Sequence, residues 1–184
     1  MDTDVFLWVV EHRAGWLDPV FIALSVVGYA GLVWIGLAVL LAVLARLPLL
    51  TTTALTALCV WGADLLTMGL KPIVDRPRPF ETHTEVDPLL GGTLGSSLPS
   101  GHAATSFAGA VVLGYLFPRG LPFVMLLAAA IAFSRVYLRV HYPSDVLAGA
   151  ALGAAVAGLV LVLVRLRRRT SAGLRQSGAV PPPG

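Results

Sequence analysis

Charge is scarce in this sequence. Of 184 residues, 12% are Asp, Glu, Lys or Arg, while 57% are hydrophobic. A soluble globular domain carries about 25% charged and about 45–50% apolar residues. Mean hydropathy is +0.82, which excludes an ordinary solvated domain and points to a protein of the bilayer. Cysteine is nearly absent. Cys59 stands alone inside an apolar run, so neither a disulfide framework nor a thiolate metal cluster is expected. No secretory leader is expected either: the opening residues are acidic and no small-residue cleavage site follows them. There is no internal repeat, and after Asp145 there is no acidic residue at all.

Long apolar runs are what the chain does have. Five occur, at 20–45, 47–70, 102–117, 121–140 and 146–164. A helical span needs about 20 apolar residues. The first, second and fifth runs meet that length; the third is short, and the fourth carries Arg135 and Arg139 near its end. Residues 4–17 mix Phe6, Trp8 and Trp16 with Glu11, His12 and Arg13, the composition of an interfacial amphipathic helix. The expected fold is therefore all-α: a polytopic membrane helical bundle of five transmembrane helices, or six, with an N-terminal interfacial helix. The expected organisation is an interfacial segment over 1–18, one membrane domain over 19–166, and a tail over 167–184. That tail ends in SGAVPPPG and reads as disordered.

Arginine orients the bundle. Arg46, Arg119, Arg165, Arg167, Arg168, Arg169 and Arg175 fall at alternate ends of the apolar runs. The positive-inside rule makes those ends, and the C-terminus, cytoplasmic. The opposite ends carry the N-terminal segment, the 71–101 loop and the 141–145 turn. Lys71, Arg76, Arg78, Arg135 and Arg139 then cluster on the outer face. Simple contact with lipid headgroups explains such cations, and so does a bound anion.

Three short polar stretches fall at that face: KPIVDRPRP (71–79), PSGH (99–102) and SRVYLRVHYPSD (134–145). Three prolines in the first are expected to stop any helix there. Lys71, Arg78 and Arg135 offer charge-assisted hydrogen bonds, and an arginine fork suits phosphate. Ser100 and Gly101 stand where the third run begins. Free N–H groups at a helix start, with glycine allowing close approach, make a phosphate cradle. A helix cap alone would also explain Ser-Gly-His. His102 follows in the first helical turn. Pro143 suits a helix start, which puts Asp145 within reach of His141. One histidine is thus backed by a carboxylate and free to attack, and the other is free to donate a proton. A histidine pair also suits a metal, but no third ligand stands at convincing spacing, so no metal is expected. Asp64 lies two turns before Lys71 inside an apolar run. An ionised carboxylate there is costly and is expected to approach a site cation.

These three stretches resemble the signature of the type 2 phosphatidic acid phosphatase superfamily, which also contains vanadium haloperoxidases. The signature is Lys, six residues, Arg-Pro; then Pro-Ser-Gly-His; then Ser-Arg, five residues, His, three residues, Asp. Here it falls on Lys71 with Arg78-Pro79, on Pro99 to His102, and on Ser134-Arg135, His141 and Asp145. The resemblance implies that His141 is a nucleophile forming a phosphohistidine, that Asp145 orients it, and that His102 protonates the leaving oxygen. It implies phosphate contacts from Lys71, Arg78, Ser100, Gly101 and Arg135, without metal or other cofactor. Arg76 and Arg139 are extra cations, expected as accessory phosphate or headgroup contacts, and the 80–98 loop is expected to cover the site. The expected partner is a lipid phosphate in the bilayer, with no nucleic acid. The two extra cations favour a polyprenyl diphosphate of the undecaprenyl type. Phosphatidylglycerol phosphate and phosphatidic acid are the alternatives. A haloperoxidase is disfavoured because those relatives are typically soluble, and a non-catalytic lipid-binding protein because the signature is complete.

Overall fold

The computed structural model describes residues 1–92 and 95–177. Within them the chain is all helical: α1 (Asp2–Glu11), α2 (Asp18–Val27), α3 (Leu32–Leu44), α4 (Leu49–Val74), α5 (Pro79–Thr82), α6 (Gly101–Leu116), α7 (Leu121–Tyr137) and α8 (Pro143–Ser177). Proline opens several of them. Pro19, Pro79, Pro122 and Pro143 all lie in the first turn, where a missing N–H costs nothing.

Among the described residues, three helical stretches are long and apolar enough to cross a membrane: Leu49–Thr82, Pro118–Tyr137 and Pro143–Thr170. The bent pair Gly15–Val27 and Tyr29–Leu44 makes a fourth if read as one span. At 16 residues α6 is shorter than these, and it is the buried centre of the bundle, with Ala103, Ala104, Ala108, Ala110 and Val112 wholly covered. It packs against α4, α7 and α8. The α6–α8 contact is very close. Gly149 and Gly153 lie against the carbonyls of Ser100 and Ala104, where any Cβ would collide with backbone. Small residues let helix backbones approach in this way, and here they bring the start of α8 against the start of α6.

The run 20–45, read from sequence as one uninterrupted span, is broken instead. Its two halves meet at 50°. Ala30 and Gly31 both have positive φ, 51° and 68°. The cause lies on other helices. A Cβ on Gly28 would press on Ile131, and one on Gly31 would run into Val60. The chain turns where it must pass close to its neighbours, and Trp61 Nε1 holds the turn by donating to the Ala30 carbonyl at 3.3 Å.

Two further expectations are corrected. The helix expected to stop at the 71–79 prolines runs on through Pro72 to Val74, and ends where Asp75 adopts φ 44°. Pro72 sits in the last turn, so it removes one ladder bond rather than breaking a helix interior. At the other end α8 continues to Ser177, well into the segment 167–184 expected as a disordered tail; positions 178–184 lie outside the described residues.

The N-terminal helix is docked over the end of the bundle. Phe6 is fully buried in a cluster with Val140 and Tyr142. The Tyr137 hydroxyl lies 2.8 Å from both the Ala14 carbonyl and Asp18 Oδ1, two acceptors that share its one proton.

Candidate active site

One end of the bundle holds a cavity of about 330 Å³ lined by charged and polar side chains. Lys71 reaches it from the last turn of α4, Gly101, His102 and Thr105 from the first turns of α6, and Arg135 from the last turn of α7. His141 comes from the turn before α8, Arg78 from the residue before α5, and Asp64 from α4. Residues far apart in sequence meet because four helices start or finish at this level. The break between α2 and α3 supplies the rest of the wall, Gly28, Tyr29 and Ala30.

His141 is 3% exposed and Asp145 is wholly buried. The Asp145 carboxylate is fixed on both oxygens. Oδ1 accepts from Arg76 Nη1 at 2.6 Å, and Oδ2 accepts the Tyr142 N–H at 2.8 Å. The latter bond caps the start of α8. His141 Nδ1 lies 3.5 Å from Asp145 Oδ2, an electrostatic contact longer than a formed hydrogen bond. Burial pushes the His141 imidazole down to about 4. Arg135 and Arg78 push the same way, and the contact with Asp145 opposes them. The ring is therefore neutral at pH 7, with its lone pair available.

His102 is held differently. Its Nε2 donates to the Ser25 carbonyl at 3.1 Å. Ser25 Oγ also accepts a very close bond from Arg135 Nη1. One serine on α2, buried to 3% exposure, thus positions a histidine and an arginine of the site. Sequence reading passed over it; a polar residue within an apolar run was the only signal.

The arginines divide by what they hold. The Arg78 guanidinium is 2% exposed and donates to backbone carbonyls: Gly95 at 2.9 Å, Val140 at 2.9 Å and Ser96 at 3.5 Å. It staples the 95–96 segment to the turn before His141 while lining the cavity. Arg135 has an unpartnered buried Nε. Leaving a buried donor or acceptor unpaired costs about 1–3 kcal/mol. Among the described side chains four such atoms stand out, and three belong to site residues: Ser100 Oγ, Arg135 Nε and His141 Nδ1. His141 Nδ1 faces Asp145, which leaves Ser100 Oγ and Arg135 Nε as buried polar atoms able to bond a ligand.

Two cations expected as accessory phosphate or headgroup contacts, Arg76 and Arg139, do not line the cavity. Arg76 points away from the cavity, into a network with Asp145, Ser144 and Asp2. Arg139, at φ 66°, turns its Nη1 to the Asp87 carbonyl at 3.0 Å. It ties the turn before α8 to the 80–98 loop and does not line the cavity. Asp64 does, facing the space beside Gly101, where an added Cβ would lie 3.2 Å from its Oδ1. Among the described residues no three His, Cys, Asp or Glu side chains gather as a metal-ligand set.

Comparison with known proteins identifies the family. Residues 32–169 match the family model described as the PAP2 superfamily. The decaprenylphosphoryl-5-phosphoribose phosphatase of Mycobacterium tuberculosis is 39% identical over 98 residues, 53% of this chain and 53% of that protein. The chain thus spans about half the length of such curated relatives. Among solved structures, Aquifex aeolicus LpxE superposes with a TM-score of 0.75 at 26% identity, covering 86% of this chain and 93% of that one. The transmembrane PAP2-type phosphatidylglycerolphosphate phosphatase of Bacillus subtilis superposes with a TM-score of 0.72 at 25% identity, covering 89% and 84%. The chain belongs to the PAP2 superfamily.

Proposed function

We propose that this PAP2 protein is an integral membrane phosphatase that hydrolyses a phosphomonoester on the polar head of a lipid to an alcohol and inorganic phosphate, through a phosphohistidine on His141. The observation that carries the reading is the convergence of Lys71, Arg78, Gly101, His102, Arg135 and His141 on one cavity at the end of the bundle. The relatives act on lipid phosphates by name, which agrees with it.

The chemistry follows from the contacts. Lys71, Arg78, Arg135 and the free N–H groups at the start of α6 hold the phosphoryl oxygens. Asp145 favours the proton of His141 on Nδ1, leaving the Nε2 lone pair to attack phosphorus. The P–O bond to the lipid breaks as the P–N bond forms. His102 gives a proton to the departing oxygen. Its Nε2–H is occupied by Ser25, so Nδ1 carries the proton that moves, and the dianionic substrate stabilises that charged ring. Water then attacks the phosphohistidine, His102 takes its proton, and inorganic phosphate leaves.

The preference for a diphosphate rested on Arg76 and Arg139. Neither lines the cavity, and the remaining charged wall is the Asp64 carboxylate. Among the described residues that line the cavity, the group beyond the phosphate cations is a carboxylate, and this is the ground on which we favour a single phosphate. The arginine distribution supports a site on the extracytoplasmic side with the C-terminus in the cytoplasm.

Phosphate release from a panel of lipid phosphomonoesters and polyprenyl diphosphates, in detergent, tests the reading. Hydrolysis that favours monoesters, survives EDTA and is blocked by vanadate supports it. Vanadate-dependent halide oxidation without hydrolysis would overturn it, and a preference for diphosphates would overturn the monoester assignment. Sidedness is tested in a Cys59→Ala background. A cysteine placed in the 81–97 loop should react with an impermeant thiol reagent in intact cells, and one at position 172 only after lysis.

A further inference from the structure

The Asp145 carboxylate behind His141 is itself held from outside the cavity. Its Oδ1 accepts from Arg76 Nη1 at 2.6 Å. The same Nη1 donates to Ser144 Oγ at 2.6 Å, and Nη2 donates to Asp2 Oδ2 at 2.6 Å. The guanidinium carbon lies over the Tyr142 ring, 4.4 Å from its centroid, a cation–π contact on a third side. Asp2 is fixed in turn. Its Oδ1 accepts the Ser144 N–H at 3.0 Å, and its Oδ2 accepts the Ser144 hydroxyl at 2.5 Å. Burial would raise the Asp2 carboxyl, but the bonds from Ser144 and Arg76 outweigh it and bring the group below its usual value. Asp2 is therefore a carboxylate, and the pairs alternate in charge. The backbone of Arg76 is clamped as well: its N–H donates to Ser96 Oγ and its carbonyl accepts the Ser97 N–H, each at 2.9 Å.

Asp2 reaches this point because α1 is docked. Phe6 is fully buried and meets the Tyr142 ring edge-on at 5.5 Å. An exposed ion pair contributes about 0–1 kcal/mol and needs no role. This one ends on a carboxylate with no exposure, one of whose oxygens faces the attacking imidazole.

We propose that Asp2 and Arg76 are positioning residues of the reaction, linked as Asp2–Arg76–Asp145–His141, so that the docked helix α1 holds the carboxylate that orients the nucleophile. The proposal rests on His141 being that nucleophile. Arg76 acts through Asp145 and touches no phosphate. The alternative is a staple that joins α1 to α8 and does nothing for His141.

The two separate by the sign of a titration. His141 faces Arg135, Arg78 and His102 besides Asp145, and those stay constant across the variants. Arg76→Gln removes the cation from Asp145, leaves more negative charge beside the imidazole, and should raise the His141 midpoint by about 0.5–1 pH unit. Asp2→Asn leaves Arg76 uncompensated and should lower it, by less. Asp2→Glu should restore the wild-type midpoint. The ¹⁵N shifts of His141 in micelles read this without turnover. In parallel, kcat should fall about 10–100-fold in Arg76→Gln and about 3–10-fold in Asp2→Asn, with KM within about threefold. Opposed midpoint shifts with kcat losses carry the proposal. Unchanged midpoints with only a lowered melting temperature, or kcat within twofold in both variants, would overturn it. A wild type that titrates as described but hydrolyses no lipid phosphate would sink the phosphatase reading and leave the linkage standing.

Discussion

The two walls of the cavity are built on different principles. The groups that flank His141 are tied to others: Asp145 to Arg76 and the Tyr142 N–H, and Arg78 to carbonyls of three residues. On the facing wall His102 and Arg135 share one anchor, Ser25, while Asp64 faces the cavity beside Gly101. The first wall is braced by bonds within the protein, whereas the second keeps a buried donor, Arg135 Nε, without a protein partner. A nucleophile must be aimed before substrate arrives, since a misplacement of about 1 Å costs about 10²-fold. A phosphate-binding wall gains by leaving its polar atoms to be satisfied by the ligand.

Removing His141 breaks the rigid wall at its purpose, and His141→Ala should lower kcat about 10³-fold or more. A variant retaining a tenth of the wild-type rate in a phosphate-release assay would assign the attack elsewhere. His102→Ala comes next, with a loss of about 10²–10⁴-fold on a lipid phosphate. That loss should shrink on p-nitrophenyl phosphate, whose leaving group departs without a proton. An equal loss on both substrates would make His102 a binding residue.

The contrast also predicts a pH response. A free histidine titrates near 6.5, whereas His141 is held down to about 4 by burial. The attacking form should persist in kcat/KM well below pH 6.5. Because the folded value is the lower one, the stability that His141 contributes is complete above about 6.5 and lost as pH falls through about 4. An acid limb at 6.5 that moves with His141 substitutions would show the ring to be solvated.

How much of this was readable beforehand depends on where each cause lies. Lys71, Arg78, Ser100, Gly101, His102, Arg135, His141 and Asp145 stand in three short runs, and helix-start chemistry at Gly101 and Pro143 is local, so the sequence displays it. The break at Gly28–Gly31 is set by Ile131 and Val60 on other helices. Arg139 was expected at the phosphate, but its positive φ sends it to Asp87. Asp2 meets Ser144 across nearly the whole chain, and no spacing rule connects them. Ser25 looked like an ordinary helix residue because both its partners come from elsewhere.

Smaller substitutions sharpen the comparison. Ser25→Ala keeps the carbonyl that holds His102 but removes the hydroxyl that holds Arg135. A lost hydrogen bond of about 1 kcal/mol corresponds to about a fivefold rise in KM for the lipid phosphate, with little change in kcat. A fall in kcat alone would place Ser25 on the catalytic side. Asp64→Asn should have the smallest effect, tightening inhibition by inorganic phosphate or vanadate about two- to fivefold as a carboxylate leaves the anion site. Weaker inhibition would show that Asp64 supports the phosphate-binding cations.

The most direct test is to trap the intermediate. Wild-type protein is mixed with a ³²P-labelled lipid phosphomonoester, quenched in alkali within milliseconds, digested, and the labelled peptide sequenced. Acid-labile, alkali-stable label on His141, absent from His141→Ala and accumulating as substrate turns over, is the expected result. Rapid hydrolysis with no label on His141 at any quench time, or label on another residue, would contradict a phosphohistidine at this position.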